Sequence, residues 1–183
     1  LSNNQNNYLM ISIVTITYNN YEELINTLNS IPKSPIIESV VVNGGQCTRT
    51  KEFLESYSGV SVSEKDDGIA DAFNKGVMLS SGKYIMFLNS GDVLLSPSYL
   101  QKSYLHLNEN SDIAFVHSNI IFCDQIGTDL FIRPQMKNVG RGMPYHHQSM
   151  IVRREMFNEI GLFKKQLKYA MDFDLVVRKK KKK

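Results

Sequence analysis

Apolar and polar positions alternate along the first half of the chain in four repeated units. In each unit a short run of apolar or alternating residues is followed by a polar break, and then by apolar residues at helical spacing. The runs predict strands at Ile11–Ile16, Ile36–Val42, Val60–Ser63 and Tyr84–Leu88. Because parallel strands need crossover connections, the alternation predicts an α/β fold: a Rossmann-like, mostly parallel sheet flanked by helices.

Capping and breaking residues mark the ends of the four predicted helices. The predicted caps or first residues are the Asn19-Asn20 pair, Thr48 or Thr50, Ile69 and Ser96-Pro97. The predicted ends are at Pro32, Tyr57 and Ser80, the last with Gly82 as a stop. One face of the third helix carries Ile69, Ala72, Phe73, Gly76 and Val77. The small residues on this face indicate close packing against the sheet.

From Asp112 onward the pattern changes to a mixture of strands and short helices. Ile113–Cys123 and Thr128–Arg133 are typical of a hairpin whose turn is Asp124–Gly127. The other predicted elements are a loop at Gly140–Pro144, a strand at Gln148–Arg153, and helices at Arg154–Ile160 and Asp172–Arg178. No linker interrupts the chain, so residues 1–183 are predicted to form one domain with a mixed C-terminal half.

Composition and charge indicate where the protein is located and which partners it can bind. A chain of 183 residues, 42% of them hydrophobic, can bury one core. Its formal net charge of +3 comes from the run Lys179–Lys183, since the rest of the chain carries 16 basic against 18 acidic residues. Such a run suits peripheral contact with anionic lipid, but runs of like charge are more often disordered ends. With two cysteines and no bilayer-spanning stretch, we expect a cytoplasmic protein, with the inner face of the membrane as a second site, and no nucleic-acid partner.

Polar clusters follow all four predicted strands. They are Thr15–Asn19, Asn43–Gly45, Glu64–Asp67 and Asn89–Asp92. Ligands of open parallel sheets bind outside the carboxyl ends of the strands, so these clusters predict a pocket for a polar ligand. Each cluster alone is equally typical of a turn, and it is their register that favours a site. The chain lacks the Gly-rich dinucleotide motif, the P-loop and the Gly-x-Ser-x-Gly elbow, which leaves metal and nucleotide chemistry.

Several motifs in one order carry a resemblance to a known family. The segments are Ile13–Asn19, Val41–Gly45, Ser63–Gly76 and Phe87–Asp92. In sequence and spacing the chain resembles family 2 glycosyltransferases of the GT-A fold, such as bacterial enzymes of exopolysaccharide and surface-glycan synthesis. The resemblance implies transfer of a sugar from a nucleotide-diphosphate donor, with UDP-sugar favoured, to a glycan or lipid-linked saccharide acceptor.

The resemblance also implies which residues bind the nucleotide, within a half of the chain spanning about residues 9–95. These are Thr15, Thr17, Asn19, Asn43, Asp66, Asp71 and Lys75. Asn43 stands where the family usually carries an Asp, so we expect nucleoside recognition to be kept and its preference to shift. Lys75 is the cation expected near phosphate, although a solvated helix lysine is an equal alternative.

Metal binding and catalysis are implied at three further positions. Asn89–Asp92 replaces the family's Asp-x-Asp, which leaves Asp92 as the expected carboxylate for Mn²⁺ or Mg²⁺. Asp172 resembles the family's catalytic base for an inverting transfer, whereas Asp174 suits a structural role. His147 is expected to contact the diphosphate, the metal or the acceptor, with His146 on the other face.

Two other functions stay open at this point. A nucleotidyltransferase shares this kind of fold, but normally has a glycine-rich loop after the first strand. A non-catalytic nucleotide-sugar-binding module is the second alternative, because the acceptor-side half, about residues 112–178, ends soon after Asp172 whereas relatives usually continue. We therefore expect the chain to be truncated at its C-terminus.

Overall fold

The computed structural model describes residues 11–123, 129–132 and 145–182. Its strands are β1 (Ile11–Thr17), β2 (Ile37–Asn43), β3 (Val60–Ser63), β4 (Tyr84–Phe87), β5 (Phe115–Val116), β6 (Ile120–Cys123), β7 (Asp129–Ile132) and β8 (Ile151–Arg153). Six of them form the main sheet in the order β3-β2-β1-β4-β8-β5. Strands β1 to β4 pair in parallel, and β8 runs antiparallel to both of its neighbours. The predicted α/β class is confirmed.

The described residues form six α-helices, and the first three connect the parallel strands, as the alternating pattern predicts. They are α1 (Tyr21–Ser30), α2 (Thr48–Glu55), α3 (Ile69–Leu79), α4 (Ser98–Glu109), α5 (Arg154–Ile160) and α6 (Met171–Lys181). Successive apolar residues of β1 face opposite sides of the sheet: Val14 packs in a cluster with Phe73 of α3, and Ile13 in a second cluster with Leu107 of α4. The sheet is thus buried on both faces, which explains its apolar strands.

The second half differs from the prediction in two places. The expected strand Gln148–Arg153 begins later, because the backbone N–H groups of Ser149 and Met150 bond back to the carbonyls of His146 and His147 and form a 3₁₀ turn. The expected strand Ile113–Cys123 is two strands: β5 joins the main sheet beside β8, and β6 pairs with β7. The hairpin is confirmed, while its turn Asp124–Gly127 and the loop Gly140–Pro144 lie outside the described residues.

The predicted helix caps are wrong. Asn20 precedes α1, but its side chain bonds Thr17 and Glu23 instead of a free helical N–H. The starts of α2 and α4 also lack a side-chain cap, and α4 begins one residue after Pro97. These helices are stabilised instead by the packing of their buried residues against the sheet.

The C-terminal lysine run is not a disordered end as far as the structure describes it. Helix α6 continues through Lys181, and Lys179 forms an ion pair with Glu159 of α5. This pairing compensates part of the like-charge repulsion within the helix. No helix among residues 11–123 and 145–182 is both long and apolar enough to cross a bilayer.

Candidate active site

A cavity of about 500 Å³ opens at the carboxyl ends of β1 and β4, beside the first turn of α3. We call it the α3 cavity. Its lining includes Thr17, Tyr18, Asp66, Ile69, Asn89 and Ser90. Three of the four polar clusters that follow the strands therefore meet at one edge of the sheet, where the strand order predicts a ligand site.

Thr17 and Asp66 are the two predicted nucleotide-binding residues that lie on the wall of the α3 cavity. The hydroxyl of Thr17 donates to Asn20 Oδ1 over 2.6 Å, and the carboxylate of Asp66 accepts the backbone N–H of Gly68 over 2.9 Å. A Cβ at Gly44 would lie 1.7 Å from a carboxylate oxygen of Asp66. The glycine after β2 therefore makes room for Asp66 at the cavity.

Thr15 and Asn19 do not lie on the wall of the α3 cavity. Thr15 is fully buried in β1, and its hydroxyl has no hydrogen-bond partner within the described part of the chain. Asn19 has a left-handed backbone with φ of 56°, and its Oδ1 accepts the N–H groups of Gln46 and Cys47 over 2.7 and 2.9 Å. Asn19 thus fixes the loop that leads into α2.

Asn43 is also enclosed, at the end of β2. Its Nδ2 donates to Ser63 Oγ over 2.9 Å and to the Gly45 carbonyl over 3.4 Å. Its Oδ1 accepts the Gly45 N–H over 3.0 Å, and the residue is fully buried. The amide thus ties the end of β2 to β3 and to the turn before α2, and it does not lie on the wall of the α3 cavity.

Asp71 and Lys75 form an ion-pair network on α3. Asp71 lies 2.7 Å from Lys165 and 3.4 Å from Lys75, and the hydrogen bond from Lys165 is the main reason why its pKa lies below the usual range. Lys75 also lies 2.9 Å from Glu64 and donates to the Lys65 carbonyl. Its burial lowers the pKa, but Glu64 and Asp71 outweigh this and the pKa is raised. Neither side chain lies on the wall of the α3 cavity.

The turn Asn89–Asp92 follows β4 at the rim of the α3 cavity. Gly91 has φ of 100°, a conformation that favours glycine, and its N–H donates to Thr27 Oγ1 over 2.9 Å. Asp92 Oδ2 accepts the Asn89 N–H over 3.1 Å. Burial raises the pKa of Asp92, although the nearby His147 and this N–H act in the opposite direction. The carboxylate is thus held in a partly desolvated position.

His147 joins this turn to the predicted base Asp172. The Nδ2 of Asn89 lies 3.1 Å from His147 Nε2, and His147 Nδ1 lies 3.6 Å from Asp172 Oδ2. An amide nitrogen only donates, so Nε2 accepts and the hydrogen on Nδ1 faces Asp172. Burial opposes ionisation of Asp172, but His147 and the Phe173 N–H outweigh it and the pKa is lowered. Asp172 is therefore ionised and oriented.

The two other candidates near this pair point elsewhere. Asp174 forms ion pairs with Lys164 and Arg178 at 2.8 and 2.7 Å, as expected of a structural residue. The His146 ring packs edge-on against Phe122 of β6, with ring centroids 5.5 Å apart. Burial, with the neighbouring His147, lowers the pKa of His146. The adjacent histidines do face different ways.

A second cavity, of about 430 Å³, lies on the other side of the Asn89–Asp92 turn. We call it the β6 cavity, after the strand that forms one wall. Its lining is largely apolar and includes Asp92, Leu94, Leu95, Tyr99, Phe122 and Gln148. Because Asn89 lines the α3 cavity and Asp92 the β6 cavity, the turn is the boundary between them.

The sequence profile of glycosyl transferase family 2 matches residues 12–161, which include both cavities and the turn between them. The chain belongs to this family. The chain is similar to a glycosyltransferase of Methanocaldococcus jannaschii, with 24% identity over 92% of this chain and 64% of the relative. It is also similar to a glycosyltransferase of Rickettsia typhi, with 28% identity over 93% of this chain and 59% of the relative. The family 2 chain thus spans less than two thirds of these relatives.

Solved structures share the fold of this family 2 chain. S. aureus TarS 1-349 in complex with UDP-GlcNAc superposes with a TM-score of 0.71 at 18% identity, over 92% of this chain and 52% of TarS. The mannosyltransferase PcManGT of Pyrobaculum calidifontis, in complex with GDP-Man and Mn²⁺, gives 0.68 at 15% identity, over 93% and 52%. The fold is that of GT-A glycosyltransferases.

Oxygen atoms at the turn of the family 2 chain fit a divalent cation. Asn89 Oδ1 and Ser90 Oγ are buried with no hydrogen-bond partner among the described residues, and the partly desolvated Asp92 carboxylate lies in the same turn. The described ranges hold no group of three or more His, Cys, Asp or Glu side chains placed to bind a metal. Mg²⁺ and Mn²⁺ are commonly held by one or two carboxylates with substrate phosphates, and this donor set suits that arrangement.

Three residues that line the cavities were not predicted as site residues from the sequence. Tyr18 and Ile69 line the α3 cavity with 68% and 50% of their surface exposed, although Ile69 was predicted to face the sheet. Tyr99 lines the β6 cavity, where burial raises its pKa to about 12 and its hydroxyl donates to the Ser149 carbonyl. Tyr18 and Ile69 each lie next to a turn rich in asparagine or glycine, and a large apolar side chain in such a place indicates a residue that can line a ligand site.

Proposed function

We propose that this chain carries the catalytic core of a metal-dependent, inverting glycosyltransferase that moves a sugar from a UDP-sugar to an acceptor hydroxyl. The observation that carries the proposal is the row Asn89, His147 and Asp172, which begins at the turn between the two cavities. The α3 cavity has Thr17, Asp66, Asn89 and Ser90 on its wall, which suit a nucleotide, and the β6 cavity has Leu94, Leu95 and Phe122 on its wall.

The α3 cavity is proposed to bind the nucleotide. The first turn of α3 forms one wall, and helix N-termini favour anions such as phosphate through their free N–H groups and dipole. The exposed ring of Tyr18 offers a surface on which a base can stack. TarS structures of the same fold hold UDP and UDP-GlcNAc, and PcManGT holds GDP-Man, so this fold accepts either nucleotide, and it is the family resemblance that favours a uridine nucleotide.

Asp92 is proposed to hold Mn²⁺ or Mg²⁺ together with the amide oxygen of Asn89. Both oxygens belong to the turn between the cavities, so a cation there would also reach the diphosphate of a nucleotide in the α3 cavity. When bound, the cation supplies charge that stabilises the departing diphosphate. The Asp92 carboxylate alone carries one charge, so we expect metal and nucleotide to bind together.

Asp172 is proposed to act as the general base. Its carboxylate takes the proton of the acceptor hydroxyl while the hydroxyl oxygen bonds to the anomeric carbon and the bond from that carbon to the diphosphate oxygen breaks. The products are the glycoside with inverted configuration, UDP and protonated Asp172. His147 faces this carboxylate, with Nδ1 3.6 Å from Asp172 Oδ2, and Asn89 fixes the His147 ring in turn.

The β6 cavity is proposed to receive the acceptor. Its walls of Leu94, Leu95 and Phe122 favour an acceptor that carries an apolar group beside the reacting hydroxyl, as a lipid-linked saccharide does. Gln148 follows His147 in the chain and lines the same cavity, which would bring the hydroxyl close to Asp172.

The test is release of nucleoside diphosphate from UDP-sugars, with and without Mn²⁺ and with a panel of acceptors. We expect metal-dependent release that Asp172→Asn reduces by about 10²- to 10⁴-fold, the usual contribution of a general base. Asp112→Asn, an exposed acid outside both cavities, serves as the control. Release of pyrophosphate from a nucleoside triphosphate would instead indicate a nucleotidyltransferase, and binding without turnover a non-catalytic module.

A further inference from the structure

We infer that helix α3 sets the position of Asp172 and that Asn74 is the positioning residue through which it does so. The first turn of α3 forms a wall of the α3 cavity, and its second turn holds the backbone that leads to α6. The inference rests on the proposed function, because it links donor binding to the base of the transfer reaction. Asn74 itself is not part of either cavity wall.

Asn74 pairs with both backbone groups of a single distant residue. Its Nδ2 donates to the Phe163 carbonyl and its Oδ1 accepts the Phe163 N–H, each over 2.9 Å. Asn74 is 6% exposed, so water does not compete strongly for these bonds. Two antiparallel bonds to one residue fix its orientation as well as its distance, as pairing does in a strand.

The Phe163 side chain is fixed by packing. Its ring lies 5.4 Å from Phe73 of α3 and 5.3 Å from Phe87 of β4, centroid to centroid. Phe73 also contacts the His147 ring edge-on at 5.6 Å. One aromatic cluster thus lies under both the segment that precedes α6 and the imidazole that faces Asp172.

Arg178 transmits this position to α6. Its guanidinium donates to the carbonyls of Ile160, Gly161 and Leu162, the three residues before Phe163, and its Nε donates to Asp174 over 2.7 Å. The segment Ile160–Phe163 is therefore held by Asn74 of α3 on one side and by Arg178 of α6 on the other. A shift of this segment would move the first turn of α6, and with it the Asp172 carboxylate.

A second contact between α3 and this region is weaker. Lys165 pairs with Asp71 at 2.7 Å, but the lysine side chain is 52% exposed and such pairs are screened by solvent. The amide of Asn74 is the buried contact, so its removal is expected to loosen the segment most. A misplacement of about 1 Å far from the chemistry can lower a rate by about 10²-fold.

The experiment compares Asn74→Ala with Asn110→Ala in the whole chain. Asn110 also donates its amide to a backbone carbonyl, that of His106, but at the end of α4, away from both cavities. For Asn74→Ala we expect calorimetric affinity for UDP with Mn²⁺ within about twofold of wild type and kcat lower by about 10- to 100-fold, with the donor KM unchanged. Arg178→Lys, which keeps the charge beside Asp174 but cannot reach three carbonyls, should show the same pattern if Asn74→Ala folds poorly.

Hydrogen exchange provides a readout that does not depend on turnover. We expect UDP with Mn²⁺ to slow amide exchange in residues 161–176 of wild type by about fivefold or more, and to leave it unchanged in Asn74→Ala. The inference is overturned if Asn74→Ala keeps this protection or transfers as fast as Asn110→Ala. A parallel fall of donor affinity and kcat would also overturn it, since that indicates a structural role only. A wild type that binds no nucleotide would refute the proposed function instead.

Discussion

The carboxylate of Asp92 is partly buried at the end of β4, and burial raises its pKa above the ordinary value despite His147 and the Asn89 N–H. Because the folded pKa lies above the unfolded one, the native state holds the proton more tightly, and stability falls as pH rises through this interval. At neutral pH the ionised carboxylate therefore destabilises the ligand-free protein.

Asp92→Asn should accordingly raise the melting temperature of the ligand-free protein at pH 7, because the amide keeps the acceptor for the Asn89 N–H without the buried charge. The gain should shrink as pH falls toward about 3.9, the ordinary pKa of Asp. Scanning calorimetry of both proteins across this pH range is the measurement. A variant that melts at or below the wild-type temperature at pH 7 would contradict this reading of Asp92.

Asn43 offers a second prediction for a single residue. The resemblance implies a nucleotide ligand, but the structure buries Asn43 fully and directs its Nδ2 to Ser63 and Gly45. Asn43→Asp would remove both donors and bring a charge toward the Gly45 carbonyl, so we expect a loss of about 1–3 kcal/mol of unfolding free energy. Urea denaturation measures it, with the exposed Asn108→Asp as control. If Asn43→Asp is as stable as wild type and changes nucleotide preference, the side chain faces the nucleotide.

Among the elements, helix α3 both packs closely against the sheet and forms one wall of the α3 cavity. A Cβ at Gly76 would lie 2.2 Å from Val14 Cγ1, so glycine allows the helix to approach β1. We expect Gly76→Ala to destabilise the protein by about 1–3 kcal/mol through overpacking. Denaturation of Gly76→Ala, Val14→Ala and the double variant tests the cause. Gly76→Ala should lower the free energy of unfolding less in the Val14→Ala background than in wild type, because the shortened Val14 leaves room for the added methyl group. Equal costs in both backgrounds would locate the strain elsewhere.

Most elements of the first half could be predicted from the sequence, because buried parallel strands and amphipathic helices leave distinct periods. The repeat of β1-α1 to β4-α4 follows directly from that pattern. The position of β8 could not be predicted, since its three residues join the sheet through pairing with β4 and β5 from distant parts of the chain. Short strands that depend on long-range pairing carry little local signal.

The candidate site, too, could be predicted from the sequence only in part. Sequence motifs located the strand ends that meet at the α3 cavity, and they predicted roles for Asp172 and His147, whose Oδ2 and Nδ1 atoms the structure places 3.6 Å apart. They could not show that Asn19, Asn43 and Lys75 use their polar groups within the protein, because those partners lie on other elements. Residue type indicates that a side chain can bind a ligand, whereas the fold decides whether it is free to do so.

At the scale of the whole molecule, the proposed function places the donor and the acceptor in two cavities on opposite sides of one turn. The apolar lining of the β6 cavity predicts that acceptors with an aryl or alkyl group have a KM lower by about tenfold than the matching free sugar. Leu95→Ser should remove this difference, since Leu95 lines the cavity and is 69% exposed. Leu105→Ser, at 48% exposure on α4 and outside the cavity, is the control. Equal KM values for both acceptor types in wild type would contradict the assignment of the cavity.

The central claim is that Asp92 serves donor binding through a cation while Asp172 serves only the transfer step. Titration calorimetry with UDP in the presence of Mn²⁺ tests it on wild type, Asp92→Asn and Asp172→Asn. The account predicts binding by wild type, binding weaker by about tenfold or more (about 1.4 kcal/mol) in Asp92→Asn, and binding within about twofold of wild type in Asp172→Asn. A wild type that gives no binding heat, or an Asp172→Asn variant that loses as much affinity as Asp92→Asn, would contradict it.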